Sequence, residues 1–349
     1  MHAPAHAPTG EAPVTGETLR TALAGLLDGL PPKQAAQAVE RLIANYRGRT
    51  PTHTPVLRDR SDVAAYAAYR MPATFEAVRS ALEAFRDRLP DLHPATHVDV
   101  GGGTGAATWA VAAAWPGGER TTTVLDWAEP ALALGAELAG TVRSEPALSG
   151  ARWQRRAIDS GLDLPEGTDL VTVSYVLGEL TEGDRHAVTD AAARAARAVV
   201  IVEPGTPEGY LRIIEARDRL IAAGFRVVAP CPHSAACPIE RGTDWCHFSA
   251  RVSRSSLHRQ VKGGSLSYED EKFSYVAAVR DMDIPEADPS RIVRKPQIRK
   301  GQVLLELCTP GDGLGRETVT KRHGPLYRAA RDAEWGGEWP PAGQEDQDG

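Results

Sequence analysis

The chain has 349 residues, 42% hydrophobic and 25% charged, with a formal net charge of −6. This is the composition of a folded globular protein, and it lacks both an apolar run long enough to span a bilayer and a basic-then-apolar leader. No membrane-spanning helix is expected, and a cytoplasmic protein is. The charge is uneven: Arg241 to Arg328 holds 16 Lys and Arg against 11 Asp and Glu, or +5, which leaves −11 for the rest. That asymmetry predicts a basic face in the C-terminal part.

In chain order, residues 1–15 read as a disordered tail rich in Pro, Ala, His and Thr. Residues 16–90 read as a helical N-terminal region. Leu19, Leu23, Leu26 and Leu27 form one apolar stripe, and Ala35, Val39, Leu42 and Ile43 form a second one after Pro31 and Pro32. A further helix carries Tyr66, Tyr69 and Arg70, is interrupted at Pro72, and resumes from Phe75 to Phe85. Residues 91–229 alternate strand and helix patterns, with strands expected at 97–100, 121–125, 153–158, 169–175 and 198–202. Repeated strand–helix units predict a parallel sheet with helices on both faces, an α/β Rossmann-like core. Residues 230–310 form a cysteine-rich and basic segment, 311–340 a C-terminal extension, and 341–349 an acidic tail.

The core is organised around Val98-Asp99-Val100-Gly101-Gly102-Gly103-Thr104-Gly105-Ala106. An apolar strand runs into glycines and then a helix, so the backbone can approach a ligand and the helix offers its free N–H groups. The spacing is neither a dinucleotide fingerprint nor a phosphate-binding loop ending in Lys-Ser/Thr. Asp-x-Gly-x-Gly-x-Gly resembles the first motif of class I S-adenosylmethionine methyltransferases. The resemblance implies cofactor contacts from Asp99, Gly101, Gly103 and Gly105. Asp126 ends the second strand about twenty residues on, placed to accept hydrogen bonds from ribose hydroxyls. Asp159 follows the third strand near the position that contacts adenine in such enzymes, and Tyr175 ends the fourth.

The fourth strand continues Ser174-Tyr175-Val176-Leu177-Gly178-Glu179-Leu180. Enzymes that methylate exocyclic base nitrogens carry Asn/Asp-Pro-Pro-aromatic here, so a cofactor pocket is expected without an evident catalytic constellation. Glu179 reads either as a base or as a surface capping residue.

The four cysteines are Cys231, Cys237, Cys246 and Cys308, in the pattern C-x5-C-x8-C-x61-C. Four thiols suit one tetrahedral metal or cluster site. Spacing leaves an iron–sulfur cluster and zinc open, with His233 or His247 as substitute zinc ligands. Two basic runs lie between the third and fourth cysteines: Arg251, Arg254, His258, Arg259 and Lys262 follow Cys246, and Arg291, Arg294, Lys295, Arg299 and Lys300 precede the strand with Cys308. Neutralising phosphates with such residues releases counterions and favours RNA. Lys321, Arg322 and Arg328 add charge later, and Trp335 and Trp339 are candidates for packing or stacking.

A more specific resemblance rests on motifs standing in order. They are Tyr69-Arg70-Met71-Pro72-Ala73-Thr74, the glycine loop, Tyr175 to Leu180, Val202-Glu203-Pro204-Gly205, Cys231-Pro232-His233, Asp244-Trp245-Cys246-His247-Phe248, and Glu269 to Tyr275. Together they resemble the methyltransferase-like family associated with the small ribosomal subunit, whose mitochondrial members are assembly factors. The resemblance implies a class I methyltransferase core that binds S-adenosylmethionine, with an N-terminal helical region and a cysteine-rich, metal-binding C-terminal insertion. It implies a 4Fe-4S cluster on Cys231, Cys237, Cys246 and Cys308. It also implies binding to small-subunit rRNA, with Arg251, Arg254, Arg259, Lys262, Arg294 and Lys295 as contacts. A monomer with no membrane partner is expected. Two alternatives stand beside this reading: an active rRNA methyltransferase, and a redox- or iron-sensing RNA-binding protein with a vestigial cofactor pocket.

Overall fold

The structure, a computed structural model, describes residues 14–27, 37, 39–40, 60–117, 119–254, 267–284, 289–311 and 313–341. Two helices lead the chain, α1 (Gly16–Leu27) and α2 (Arg60–Arg88). Leu19 and Leu23 of α1 are buried in the core as the stripe requires. Val39 of the second stripe is buried too, while Ala35, Leu42 and Ile43 lie outside the described residues. The expected break at Pro72 is absent: α2 runs through it for 29 residues. A helix-interior proline costs about 3 kcal/mol. Tyr69, Met71, Ala73 and Phe75 around it are all buried, and their packing offsets that loss.

The core then alternates as its pattern predicts: β1 (Thr96–Val100), α3 (Ala106–Ala114), β2 (Thr121–Asp126), α4 (Glu129–Gly140), α5 (Pro146–Ser149), β3 (Arg152–Arg155), β4 (Thr168–Ser174), α6 (Glu182–Ala195), β5 (Ala196–Pro204), α7 (Pro207–Ala222) and β6 (Arg226–Ala229). Two later strands, β7 (Phe248–Ser253) and β8 (Tyr268–Val279), join the same sheet. Its order is β3-β2-β1-β4-β5-β8-β6, with β7 also paired to β8. The first five strands are parallel, and β8 runs antiparallel to β5, β6 and β7. Alternate residues of β5 divide between the two faces. Val199 and Ile201 pack with α6 and α7, whereas Ala198, Val200 and Val202 pack with α1 to α4.

The main sheet therefore draws a strand from within the segment 230–310. Its first half, Tyr268 to Lys272, alternates in exposure because only β7 lies beside it. Its second half, Phe273 to Val279, is buried throughout because it sits between β5 and β6.

A second, antiparallel sheet follows: β9 (Ser290–Ile292), β10 (Gln297–Arg299), β11 (Gln302–Thr309), β12 (Gly313–Thr320) and β13 (Glu338–Trp339), with helix α8 (Pro325–Asp332) against it. Ile292, Val303, Leu305, Leu307, Val319, Ala330 and Trp339 make its own small core. Among the described residues no helix is long and apolar enough to cross a membrane.

Candidate functional site

Two sites emerge, one on each part of this architecture. The first is the turn between β1 and α3, at the carboxyl end of the central parallel strand, where α/β sheets bind ligands. Gly101, Gly103 and Gly105 all have positive φ, at 67°, 53° and 87°. Their surroundings differ. A Cβ on Gly101 would lie 2.6 Å from Val176, and one on Gly105 would lie 2.5 Å from the Trp153 ring, whereas one on Gly103 meets nothing closer than Asp126 Oδ2 at 3.7 Å. Gly101 and Gly105 are thus demanded by packing, and Gly103 keeps the face of the cradle open. The Gly103 N–H donates to Asp126 Oδ2 at 2.9 Å, and Ala128 N–H donates to Asp126 Oδ1 at 2.8 Å. Burial raises the Asp126 carboxyl, and these backbone donors oppose the rise.

Asp99 has a different place from the one its motif suggests. It is wholly buried; Oδ2 accepts from Thr108 N and Oγ1, and Oδ1 accepts from Thr172 Oγ1. It pins β1 to α3 and β4 and shapes the loop from behind, out of reach of the cradle. Burial pushes it up to about 6, against the pull of those hydrogen bonds. Asp159 is exposed and closes a turn by accepting from Gly161 N–H at 2.8 Å. Glu203, at the end of β5, is buried, accepts from Leu177 N–H at 3.1 Å, and pairs with Arg212 at 2.6 Å, which fixes the turn that carries Glu179.

Tyr175 stands at φ 59°, in the left-handed region. Its hydroxyl donates to Glu271 Oε1 at 3.1 Å, the same oxygen that Arg70 contacts at 3.1 Å, and the Arg70 guanidinium sits 5.8 Å from the Tyr175 ring centre. Residues from α2, β8 and the end of β4 are thus tied together beside the cradle. Glu179 lies on its rim. Its surface is open, yet neighbouring protein hems in the carboxylate, and with Asp126 and Glu203 nearby it is pushed up to about 7.

The second site lies where the two sheets meet. Cys231 follows β6, Cys237 lies in the loop beyond it, Cys246 precedes β7, and Cys308 is on β11; all four are free thiols. They line one cavity together with Tyr210 and Arg217 of α7 and Arg291 of β9. Tyr210 Oη is 3.4 Å from Cys237 Sγ, and Ser274 Oγ donates to the Cys246 carbonyl at 2.7 Å. Burial pushes the Cys308 thiol up to about 12, raises Cys231, and lifts Cys246 well above its ordinary value. His233 Nε2 lies 3.5 Å from Cys308 Sγ. His247 stacks on Trp245 and meets Trp335 edge-on. Among the described residues, one trio of His, Cys, Asp and Glu has ligand atoms within 4.8 Å of one another, and that is Glu182, His186 and Glu215, so the thiols stand further apart.

The basic residues expected to contact RNA differ in their surroundings. Arg251 lies opposite Asp270 across the β7–β8 pair and bonds it at 3.2 Å, with its guanidinium 4.1 Å from the Tyr268 ring centre. Arg254 is largely covered and pairs with Glu269 at 3.3 Å, and Arg294 pairs with Asp244. Arg291 is buried. Lys295 is exposed, while His258, Arg259 and Lys262 lie outside the described residues. Trp335 and Trp339 pack: each donates its indole N–H internally, to Val293 O at 3.0 Å and Glu317 at 2.7 Å. An exposed basic group does form at the end of the second sheet. Arg299 and Lys300 sit at the β10–β11 turn, beside Lys321 and Arg322 in the short turn after β12, and Lys321 N–H donates to Gly301 O at 3.2 Å.

Residues 60–340 match the family described as mitochondrial small ribosomal subunit Rsm22. The chain belongs to that family. The human protein "Ribosome assembly protein METTL17, mitochondrial" is 30% identical over 291 residues, 78% of this chain and 61% of its own length. A Schizosaccharomyces pombe relative, "Rsm22-cox11 tandem protein 2, mitochondrial", is 25% identical over 187 residues, 42% of this chain and 25% of its own. This Rsm22-family chain thus spans less than two thirds of the length of either curated relative. Distant likenesses among solved structures include the mitomycin 7-O-methyltransferase MmcR (16% identity, 78% of this chain and 74% of that one, TM-score 0.40) and a SAM dependent methyltransferase from Aquifex aeolicus (18%, 49% and 90%, TM-score 0.36).

The residue most visible in the structure and missed in the sequence is Arg217. It follows Tyr210 and Ile214 by seven and three positions, so it lies on the apolar face of α7. A charged residue within an apolar stripe was the available signal. The second basic group was visible only as two separated runs.

Proposed function

We propose that this Rsm22-family protein is a small-subunit ribosome assembly factor that binds S-adenosylmethionine, carries an iron–sulfur cluster and contacts rRNA through the end of its second sheet. One observation carries the reading: four cysteines spread over 78 residues of chain converge on a single cavity between the two sheets. The donor set fits the group, since four unpaired, reduced thiols are what a 4Fe-4S centre takes as thiolate ligands. Cys231, Cys237, Cys246 and Cys308 would hold it, and the metal would offset the cost of burying the thiolates that burial otherwise disfavours. Among the described residues no three of the sulfurs lie within 4.8 Å of one another, whereas tetrahedral thiolates at a Zn–S distance of about 2.3 Å stand about 3.8 Å apart, which favours a cluster over zinc. When bound, such a centre supplies loop ordering and a one-electron redox couple.

At the other site, Asp126 would accept from the ribose hydroxyls, and the open face at Gly103 would admit the amino-acid end of the cofactor. Binding without methyl transfer is favoured. The strand end where an amine would be held carries Tyr175 tied to Glu271 and Arg70. The basic group of Arg299, Lys300, Lys321 and Arg322 suits phosphate contact, because exposed cations bring counterion release at little desolvation cost.

The test is anaerobic purification with iron, sulfide and zinc analysis, calorimetry with S-adenosylmethionine, and binding to isolated small-subunit rRNA. The expected result is brown protein, with broad absorption near about 400 nm, that binds both cofactor and RNA. Colourless protein with one zinc would overturn the cluster, and absence of RNA binding would overturn the assembly role.

A further inference from the structure

Arg217 is 1% exposed and Arg291 is 5% exposed, and both line the cavity that the four thiols surround. Removing a guanidinium from water costs several kcal/mol unless it is well paired. The two residues meet that cost differently. Arg291 lies opposite Cys308 in the β9–β11 pair, and its donors are spent on protein: Nε to Pro230 O at 3.0 Å, Nη1 to Gly336 O at 2.8 Å and Nη2 to Glu338 at 3.2 Å. It straps the residue before Cys231 to the second sheet.

Arg217 is left incomplete. Nη2 donates to the carbonyls of His233 and Ala235 at 3.0 and 2.7 Å, and so holds the loop between Cys231 and Cys237. Its one carboxylate neighbour, Asp218, is 3.5 Å away, half exposed, and shared with Arg241 at 3.0 Å. Nε–H is buried with no acceptor among the described residues. A buried donor without a partner is costly and calls for an explanation. Cys231 and Cys308 line the same cavity as this guanidinium, and its charge acts on both thiols.

We propose that Arg217 is a positioning residue for the thiolate-ligated centre, its Nε–H reserved as a hydrogen-bond donor to sulfur and its charge offsetting the negative charge of the liganded cluster. The inference rests on the cluster reading above. Hydrogen bonds to sulfur and nearby positive charge both stabilise the more negative, reduced form of a cluster and raise its potential. Arg291 contributes mainly charge, because each of its three nitrogens already donates to a protein oxygen.

The experiment uses the full chain, reconstituted anaerobically, with iron counted per chain. The midpoint is read by dithionite titration under electron paramagnetic resonance, with dithionite giving one electron to the cluster and being oxidised in turn. Arg217→Met lowers the midpoint by at least the equivalent of a tenfold change in the equilibrium, 59 mV for a one-electron couple. Arg217→Lys keeps the charge, loses the Nε–H, and falls between Met and wild type. Equal midpoints in all three would overturn the proposal and leave the cluster standing. A wild-type chain that takes up no iron would instead remove the cluster reading itself. Should the Met variant fail to fold, the Lys variant decides: a wild-type midpoint there overturns the role of the donor.

Discussion

The relocation of the basic surface can be tested quantitatively. Replacing Arg299, Lys300, Lys321 and Arg322 with Gln removes four exposed charges at one end of the second sheet. The core of that sheet lies elsewhere, in Ile292, Val303, Leu305, Leu307, Val319, Ala330 and Trp339, so stability should change by no more than about 0.5 kcal/mol per site. If each residue neutralises one phosphate of single-stranded rRNA, the slope of log K against log salt becomes shallower by about 2.8, and for duplex RNA by about 3.6. Between 50 and 200 mM salt the wild type would then lose about 50-fold more affinity than the variant. Replacing Arg251 and Arg254 should change the slope by well under one unit, because Asp270 and Glu269 already neutralise them. The assay is fluorescence anisotropy with small-subunit rRNA over a salt series. A tip variant with the wild-type slope, beside an Arg251/Arg254 variant that loses about two units, would refute the reasoning and return the interface to the β7–β8 face.

Four further outcomes follow from the geometry. Gly101→Ala should destabilise the fold, since its Cβ meets Val176 at 2.6 Å in a left-handed backbone, costing about 1–3 kcal/mol by overpacking alone. Gly103→Val should fold at a strain cost of about 1–3 kcal/mol, since its Cβ meets no close neighbour in a left-handed backbone, but lose S-adenosylmethionine binding by calorimetry; unchanged binding would remove the cradle assignment. Cys308→Ser should cost iron while leaving that binding intact, because Cys308 lies on the second sheet and the cradle on the main one; loss of both together would show the sites to be coupled. The last concerns pH. Asp99, raised to about 6, takes up a proton on folding, so its contribution falls as pH rises from about 4 to 6. Burial depresses His97 to about 3, so its contribution rises with pH over the same window. The two slopes oppose each other in the wild type. Asp99→Asn should expose the His97 slope, with stability rising by up to about 1.4 kcal/mol per pH unit between pH 4 and 6. Urea midpoints that parallel the wild type across that range would contradict this.

What the sequence determined by itself was local and periodic. The glycines after β1 announce positive φ because no other residue adopts it without strain. The alternation of strand and helix fixes a parallel core, and four cysteines without a spare announce a shared site. Tertiary structure decided what depends on neighbours distant in the chain. Arg251 and Arg254 read as free cations until the β7–β8 register set them against Asp270 and Glu269. Asp99 read as a ligand contact until folding buried it completely against Thr108 and Thr172. Pro72 read as a break until burial on either side carried α2 through it. The basic end of the second sheet exists only because β11 and β12 pair Gln302 with Thr320, which brings residues twenty positions apart to one edge. A charge's availability is set by what folding places beside it, and strand pairing between remote segments cannot be computed from the spacing of either segment alone.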